Sequence, residues 1–320
     1  MSRWGTVLLL GVALFAGAAA VLTAQNTAQF PRGQIVGWWW KTKRVLNDPS
    51  DVPSPSTGVD SVSLIEDLRQ HMLKIKAEAM SADGGKVDYA ALKRSPLYSK
   101  YFGLVSQLKY FRLESLDAAQ KKAALLNLYN SLIIDAVINN LLDVNGGTLA
   151  RLKLYASASY NVGGIIFSLN DIENGLLRRN RKSAVPLTNR PFGKEDDPRC
   201  KLMLPECDAR VHFALNCAAN GCPPIGVYSA TDIDEQLEIA TQGFLDGSVR
   251  IDQQNNALTL SMLFSWYRED FGSSDREVLD WIIEHAASDL RNKLLAAFPT
   301  SSATPKLVYD AYDWSLNSLL

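Results

Sequence analysis

AALLNLYNSLIIDAVINNLL, residues 123–142, is apolar almost all round, and a helix of that kind is buried in the middle of a globular protein. Its polar members are not scattered. Asn127, Ser131, Asp135 and Asn139 recur every fourth position, with Asn130 beside them, so they form one narrow stripe. Two readings fit: a solvent-facing stripe on a core helix, or one that lines a cleft or hydrogen-bonds neighbouring backbone. An exposed stripe usually recruits Lys and Glu, whereas this one holds Asn, Ser and a single acid.

Outward from this helix the chain alternates helices with short hairpins. Ser63 and Glu66 form an S-x-x-E capping box ahead of Leu64, Ile65, Leu68, Met72 and Ile75 at helical spacing, and Ser95-Pro96 opens a second helix. SYNVGGIIFSL predicts a hairpin turning at Gly163 and Gly164, followed by a short helix through DIENGLLRR and a polar loop over 180–199. VHFALN, residues 211–216, alternates as a half-buried strand should. A helix over 232–246, with Asp232 and Glu235 placed to cap it, precedes a hairpin around Asn255 and Asn256. Two or three helices over 261–298 and a last strand in KLVYDAYDWSLN complete the pattern. This lacks the regular strand–helix rhythm of a doubly wound sheet and predicts a mixed α+β domain around one main core. The glycines match neither a phosphate loop nor a dinucleotide fingerprint.

The 33 basic and 34 acidic side chains of the 320 residues nearly cancel. No global field gathers nucleic acid, and no nucleic-acid partner is expected. Charge is uneven at the start, where the first acid is Asp48. Residues 4–24, WGTVLLLGVALFAGAAAVLTA, are long enough to cross a hydrocarbon core of roughly 30 Å as a helix. They read as a secretory signal peptide or a membrane anchor, giving a secreted or membrane-tethered protein that touches membrane only there; an acid-free basic start also suits an organelle transit peptide. Residues 25–60, basic and then rich in Pro and Ser, read as a linker, and 61–320 as the globular domain.

All four cysteines, Cys200, Cys207, Cys217 and Cys222, fall within 23 residues. An even count behind an export signal favours disulfides, with three pairings open. Asn220-Gly221 favours a tight turn that brings Cys217 and Cys222 together; closing so small a ring stabilises by only about 2 kcal/mol and chiefly fixes loop shape. The spacing departs from structural zinc sites, and neither metal nor cofactor is expected. The catalytic alternative makes Cys217 or Cys222 a thiolate activated by histidine. In a regular strand His212 lies roughly 16 Å from position 217 and on the opposite face, so it is a poor base for Cys217; Cys222 folding back toward His212 remains open. His71 and His285 read as structural.

DARVHFALNCAANGCPPIGVY, with GKVDYAALK, LLNLYNSLIIDAVI and FSLNDIENGLLR upstream and LSMLFSWYREDF and YDWSLN downstream, resembles the domain of unknown function 547 family from about residue 61 to 317. The resemblance implies a family without assigned chemistry, in which some eukaryotic relatives join the domain to glutaredoxin, DEP or leucine-zipper segments. It also implies a departure. The family's segment reads I-E-H where this chain has Ile172, Glu173 and Asn174, and an amide cannot accept and return a proton as imidazole does. The Cys200 and Cys207 pair is additional to the family's usual two cysteines. We therefore expect a binding or interaction domain with a disulfide-clamped loop beside the polar stripe, its partner an unidentified protein or small molecule. Asn127, Asn130, Asp135, Glu173, Asn174 and Asn216 are the candidate binding residues. The alternative is a papain- or transglutaminase-like thiol-dependent hydrolase or transferase using Cys217 or Cys222, with Asp135, Asn127, Asn130, Glu173 or His212 in support. Thiol redox exchange ranks below both because C-x4-C lacks the short C-x-x-C geometry.

Overall fold

The fold is known from a computed structural model that describes residues 43–47, 59–144, 147–183, 190–193, 196–299 and 304–319. The apolar run 4–24, most of the 25–60 linker and the middle of the 180–199 loop lie outside these residues. Among the described residues no helix is long and apolar enough to cross a membrane.

The helix predicted from 123–142 is α4 (Ala118–Ile138), begun by an Asp117–Gln120 capping box that satisfies two end groups reciprocally. Leu126, Leu132, Ile133 and Ala136 are fully buried, and α4 is the axis of the main core. Around it pack α1 (Ser61–Ala79), α2 (Tyr89–Arg94) and α3 (Pro96–Val105). The face predicted for α1 is the buried one, through Leu64, Leu68, Met72 and Ile75. Its cap is not Ser63: the Asp60 carboxylate accepts the Val62 and Ser63 amides, while Glu66 turns outward to Arg69 at 2.7 Å. Ser95 caps α3 as expected, accepting the Leu97 amide.

Helix α5 (Gly147–Ser157) leads into the predicted hairpin, β2 (Ala158–Val162) antiparallel to β3 (Ile165–Ser168). Gly163 sits at φ +61°, and a Cβ there would stand 2.5 Å from the Phe111 carbonyl, so only glycine fits the turn. The short helix that follows is a π-type turn, Asp171–Leu177. A third strand, β1 (Arg44–Val45), adds parallel to β2 from within the stretch read as linker. Beside it Asn47 is buried, donating to the Val105 and Asn161 carbonyls at 2.8 and 3.0 Å and accepting the Asn161 amide. Residues 43–47 are therefore part of the folded body.

Beyond α6 (Ile233–Ser248) the predicted hairpin appears as β4 (Arg250–Asp252) and β5 (Ala257–Leu260). The last strand, β6 (Lys306–Tyr309), joins β5 in parallel. Asp232 makes no side-chain cap to α6; its carboxylate accepts Ser229 Oγ instead. Four short helices between residues 262 and 297 close over Phe213, Phe264 and Phe271, a smaller aromatic cluster beside the main core. The architecture is α+β, with two small mixed sheets.

One element differs in kind. Residues 211–216 form no strand; Ala209–Phe213 is a single 3-10 turn capped by Asp208. Every residue from 211 to 216 is buried. Val211, Ala214 and Leu215 pack into the main core and Phe213 into the aromatic cluster. The alternation of large apolar residues reflects a segment threaded between two cores, not one face of a sheet.

Candidate functional site

The polar stripe of α4 holds the cysteine loop. Asn127 donates to the Tyr228 carbonyl at 2.7 Å and accepts the Tyr228 amide at 2.8 Å. Asn130, fully buried, donates to the Ala214 carbonyl at 2.9 Å and accepts the Asn216 amide at 3.0 Å. Asn216 repeats the device inside the loop, bonding the Pro223 carbonyl and the Ala218 amide at 2.8 Å each. A carboxamide carries one donor face and one acceptor face, so each satisfies a buried stretch of irregular backbone that no strand reaches. This is the backbone-binding reading of the stripe; the solvent-facing one fails, since Asn130, Ser131 and Asp135 are all buried. Asp135 serves elsewhere, accepting hydrogen bonds from Tyr160 and Tyr98. Burial pushes its carboxyl up to about 7, against those hydrogen bonds.

Within the clamped loop Cys217 and Cys222 are both thiols, with no disulfide between them. Cys222 Sγ accepts the Cys217 backbone amide at 3.0 Å, and the two thiols hydrogen-bond each other. The chain turns back between them through Ala218 at φ +59°, a conformation that costs a non-glycine residue about 1–2 kcal/mol. The C-terminal segment lies antiparallel along the loop. Asn220 and Gly221 donate to the Ser315 and Asp313 carbonyls at 2.9 Å each. A Cβ on Gly221 would stand 3.1 Å from the Asp313 nitrogen and the Tyr312 ring, so the missing side chain admits Tyr312 to the sulfurs. Its hydroxyl lies 3.1 Å from Cys222 Sγ and 3.6 Å from Cys217 Sγ. Tyr155 also hydrogen-bonds Cys217. Arg151, buried, donates to the Cys217 carbonyl at 3.1 Å and to the Trp314 carbonyl.

The two sulfurs are electrostatically unequal. The Cys222 hydrogen bond, opposed by burial and aided by Tyr155, Tyr312 and the Arg151 charge, brings the Cys217 thiol down to about 7. Burial, reinforced by Cys217, pushes the Cys222 thiol up. Of the two sulfurs, Cys217 gives up its proton the more readily and Cys222 holds its own more tightly.

Histidine takes no part in this. His212 Nε2 is 2.7 Å from Asp270 Oδ2, and its ring stacks on Tyr267 with centroids 3.9 Å apart. Burial lowers its pKa and Asp270 opposes. Asp270 is saturated further by Arg178, at 2.5 and 3.0 Å, and by Arg181. Glu173 accepts from Tyr267 at 2.6 Å and Tyr129 at 2.9 Å. Asn174, at the position of the expected family histidine, bonds Arg178 at 2.6 Å and Asn170 at 3.0 Å. His212, Glu173 and Asn174 thus belong to one buried network, whose Tyr129 and Tyr267 feel the charge of Cys217 while the hydrogen bonds to Cys217 and Cys222 come from other residues. Cys200 lies in a 3-10 turn, Pro198–Leu202, against the main core. Cys207 lies beside Asp270 and Arg181, its thiol pushed up to about 11 chiefly by burial.

Tyr312, Tyr155 and Arg151 are the site residues that pattern reading missed. YDWSLN carried a family signal but no chemistry, and nothing in RLKLY marks Arg151. Residues 113–245 match the family model described as a protein of unknown function, DUF547, a span that holds the α4 stripe and both cysteines of the loop. No curated protein and no solved structure matches the chain.

Proposed function

We propose, from the site inside the residues that match the DUF547 family model, 113–245, that the protein performs thiol–disulfide exchange, with Cys217 as the attacking sulfur and Cys222 as the resolving one. The observation that carries this is the shared Tyr312 hydroxyl, within 3.6 Å of both sulfurs, beside two free thiols that hydrogen-bond each other. The loop supplies through its clamps the proximity that C-x4-C spacing does not promise.

The Cys217 thiolate attacks one sulfur of a substrate disulfide. A new S–S bond forms as the old one breaks, and the first leaving sulfur departs as a thiolate that takes a proton from solvent. Cys222 then gives up its proton and attacks Cys217 Sγ. The Cys217–Cys222 bond forms, and the second substrate sulfur leaves and takes up a proton. The protein dithiol loses two electrons and the substrate disulfide gains them. An attacking thiol with a pKa near ambient pH combines thiolate fraction with nucleophilicity.

The clamp expected from the sequence is the oxidised state of this pair. A second reading, an interaction domain whose loop is locked by a permanent Cys217–Cys222 bond, draws support from the rigid hold of Asn127, Asn130 and Asn216. A histidine-assisted hydrolase or transferase draws none, because the hydrogen bonds to Cys217 come from Cys222, Tyr155 and Tyr312 and none from His212. We further propose that residues 4–24 export or tether the domain, which N-terminal sequencing of the mature protein tests.

The exchange reading is tested by trapping. Reduced protein is mixed with hydroxyethyl disulfide, quenched with acid and mapped by mass spectrometry. Wild type should lose two hydrogens within the 217–222 segment, and Cys222→Ser should accumulate a mixed disulfide on Cys217. A wild-type bond that dithiothreitol cannot reduce without unfolding supports the locked-loop reading instead. First reaction at Cys200 or Cys207 sinks both.

A further inference from the structure

Beside the thiol pair lies an aromatic layer that the exchange step does not use. Tyr312, Trp314 and Trp266 pack in a triangle, with centroids 4.6 Å apart for Tyr312–Trp314, 4.8 Å for Trp266–Tyr312 and 5.3 Å for Trp266–Trp314. All three are only partly buried. The layer is continuous with the chemistry because Tyr312 belongs to both: its ring is one corner of the triangle and its hydroxyl bonds the sulfurs. The layer thus borders the thiol pair through Tyr312.

Charge at the same edge is committed. Arg151 stands over the Trp314 ring at 5.1 Å, but it is buried and its guanidinium is given to the Cys217 and Trp314 carbonyls. Lys86 donates to Asn220 Oδ1 at 2.5 Å and offsets Asp313, whose exposed carboxylate the Ser315 hydroxyl holds below the usual range. Neither cation is placed to receive a substrate carboxylate, and Asp313 disfavours one.

Resting on the exchange reading, we infer that the substrate is a polypeptide disulfide flanked by aromatic or large apolar side chains, seated on Trp314, Tyr312 and Trp266, and not an anionic small disulfide. Aromatic side chains stack in offset or tilted pairs on such a surface.

Second-order oxidation rates of the reduced full chain test this with three probes: a peptide disulfide bearing Phe beside each half-cystine, neutral hydroxyethyl disulfide, and glutathione disulfide, each corrected for leaving-thiol acidity. The peptide should react about tenfold faster than hydroxyethyl disulfide, and glutathione disulfide more slowly than either. The peptide-to-hydroxyethyl ratio, read within each variant, should fall toward one in Trp314→Ala and be largely kept in Trp314→Phe. A wild-type ratio near one, a ratio unmoved by Trp314→Ala, or glutathione disulfide as the fastest probe overturns the inference and leaves the exchange reading intact. Failure of hydroxyethyl disulfide to oxidise the pair at all overturns the exchange reading, and this one with it.

Discussion

The hydroxyl of Tyr312 lies 3.1 Å from Cys222 Sγ and 3.6 Å from Cys217 Sγ, so one hydroxyl from the C-terminal segment reaches both sulfurs of a loop ninety residues upstream. Donation to sulfur favours the thiolate. Behind the larger effect of the Cys222 hydrogen bond, the acidity of Cys217 is therefore tuned by a residue packed where Gly221 lacks a side chain.

Removing that donor should slow the sulfur. With the Cys217 thiol at about 7, iodoacetamide labelling should rise tenfold per pH unit below neutrality and level off above it. Tyr312→Phe should shift this curve to higher pH and cut the rate at pH 6.5 by about three- to tenfold, the worth of one hydrogen bond. Rates followed by intact mass from pH 5 to 9 check it, and an unmoved curve would remove Tyr312 from the site.

Asp135 predicts a pH dependence of stability. Its folded-state carboxyl is raised to about 7 from an ordinary value of 3.8, chiefly by burial. The stability it contributes is thus complete below the unfolded-state value and is lost as pH rises through 7, with an upper bound of about 4 kcal/mol. Asp135→Asn keeps an acceptor for Tyr160 and cannot ionise. Urea unfolding at pH 5 and pH 8 should show wild type weakening between the two and the variant much less so. Equal slopes would mean that Asp135 does not titrate in this window.

The carboxamide clamps predict large effects from small changes. Asn130→Ala strands the Ala214 carbonyl and the Asn216 amide in a buried setting, at about 1–3 kcal/mol for each group. Thermal unfolding should therefore show a clear loss in Tm. Because the loop that presents Cys217 is freed at one end, its labelling curve should also move. A stability change without a shift in labelling would show that Asn216 and the C-terminal segment hold the sulfurs unaided.

These effects separate what was legible in the sequence from what was not. The α4 stripe was legible as a line of polar residues on an apolar helix, but its role was not, since a solvent-facing stripe fitted the same pattern; the structure uses Asn127 and Asn130 to bond backbone. The β2–β3 and β4–β5 hairpins were legible from glycine and asparagine turns. Residues 211–216 were misread because period two has two physical sources, a one-sided sheet and a segment passing between two cores, and only tertiary context separates them. Tyr312 was invisible as a site residue because its role comes from a pairing between residues 219–221 and 313–316, which no local pattern encodes. The Asp60 cap was missed because an acid and a serine three residues on offered two overlapping starts for one helix.

His212 provides the sharpest contrast between a sequence argument and its site. It stands five residues before Cys217, yet its imidazole is bonded to Asp270 and stacked on Tyr267, a network shared with Arg178 and Arg181. Replacing it with Gln keeps one polar contact to Asp270 and loses the stacked ring. Stability should fall by about 1–3 kcal/mol, as for other buried polar partners of a charge. The pH curve of Cys217 labelling should keep its midpoint, because the donors to that sulfur are Cys222, Tyr155 and Tyr312. A histidine acting as the base for the thiol would shift that midpoint upward and depress the plateau. Labelling of His212→Gln under conditions where it remains folded therefore decides between a thiol pair that activates itself and a histidine-assisted nucleophile.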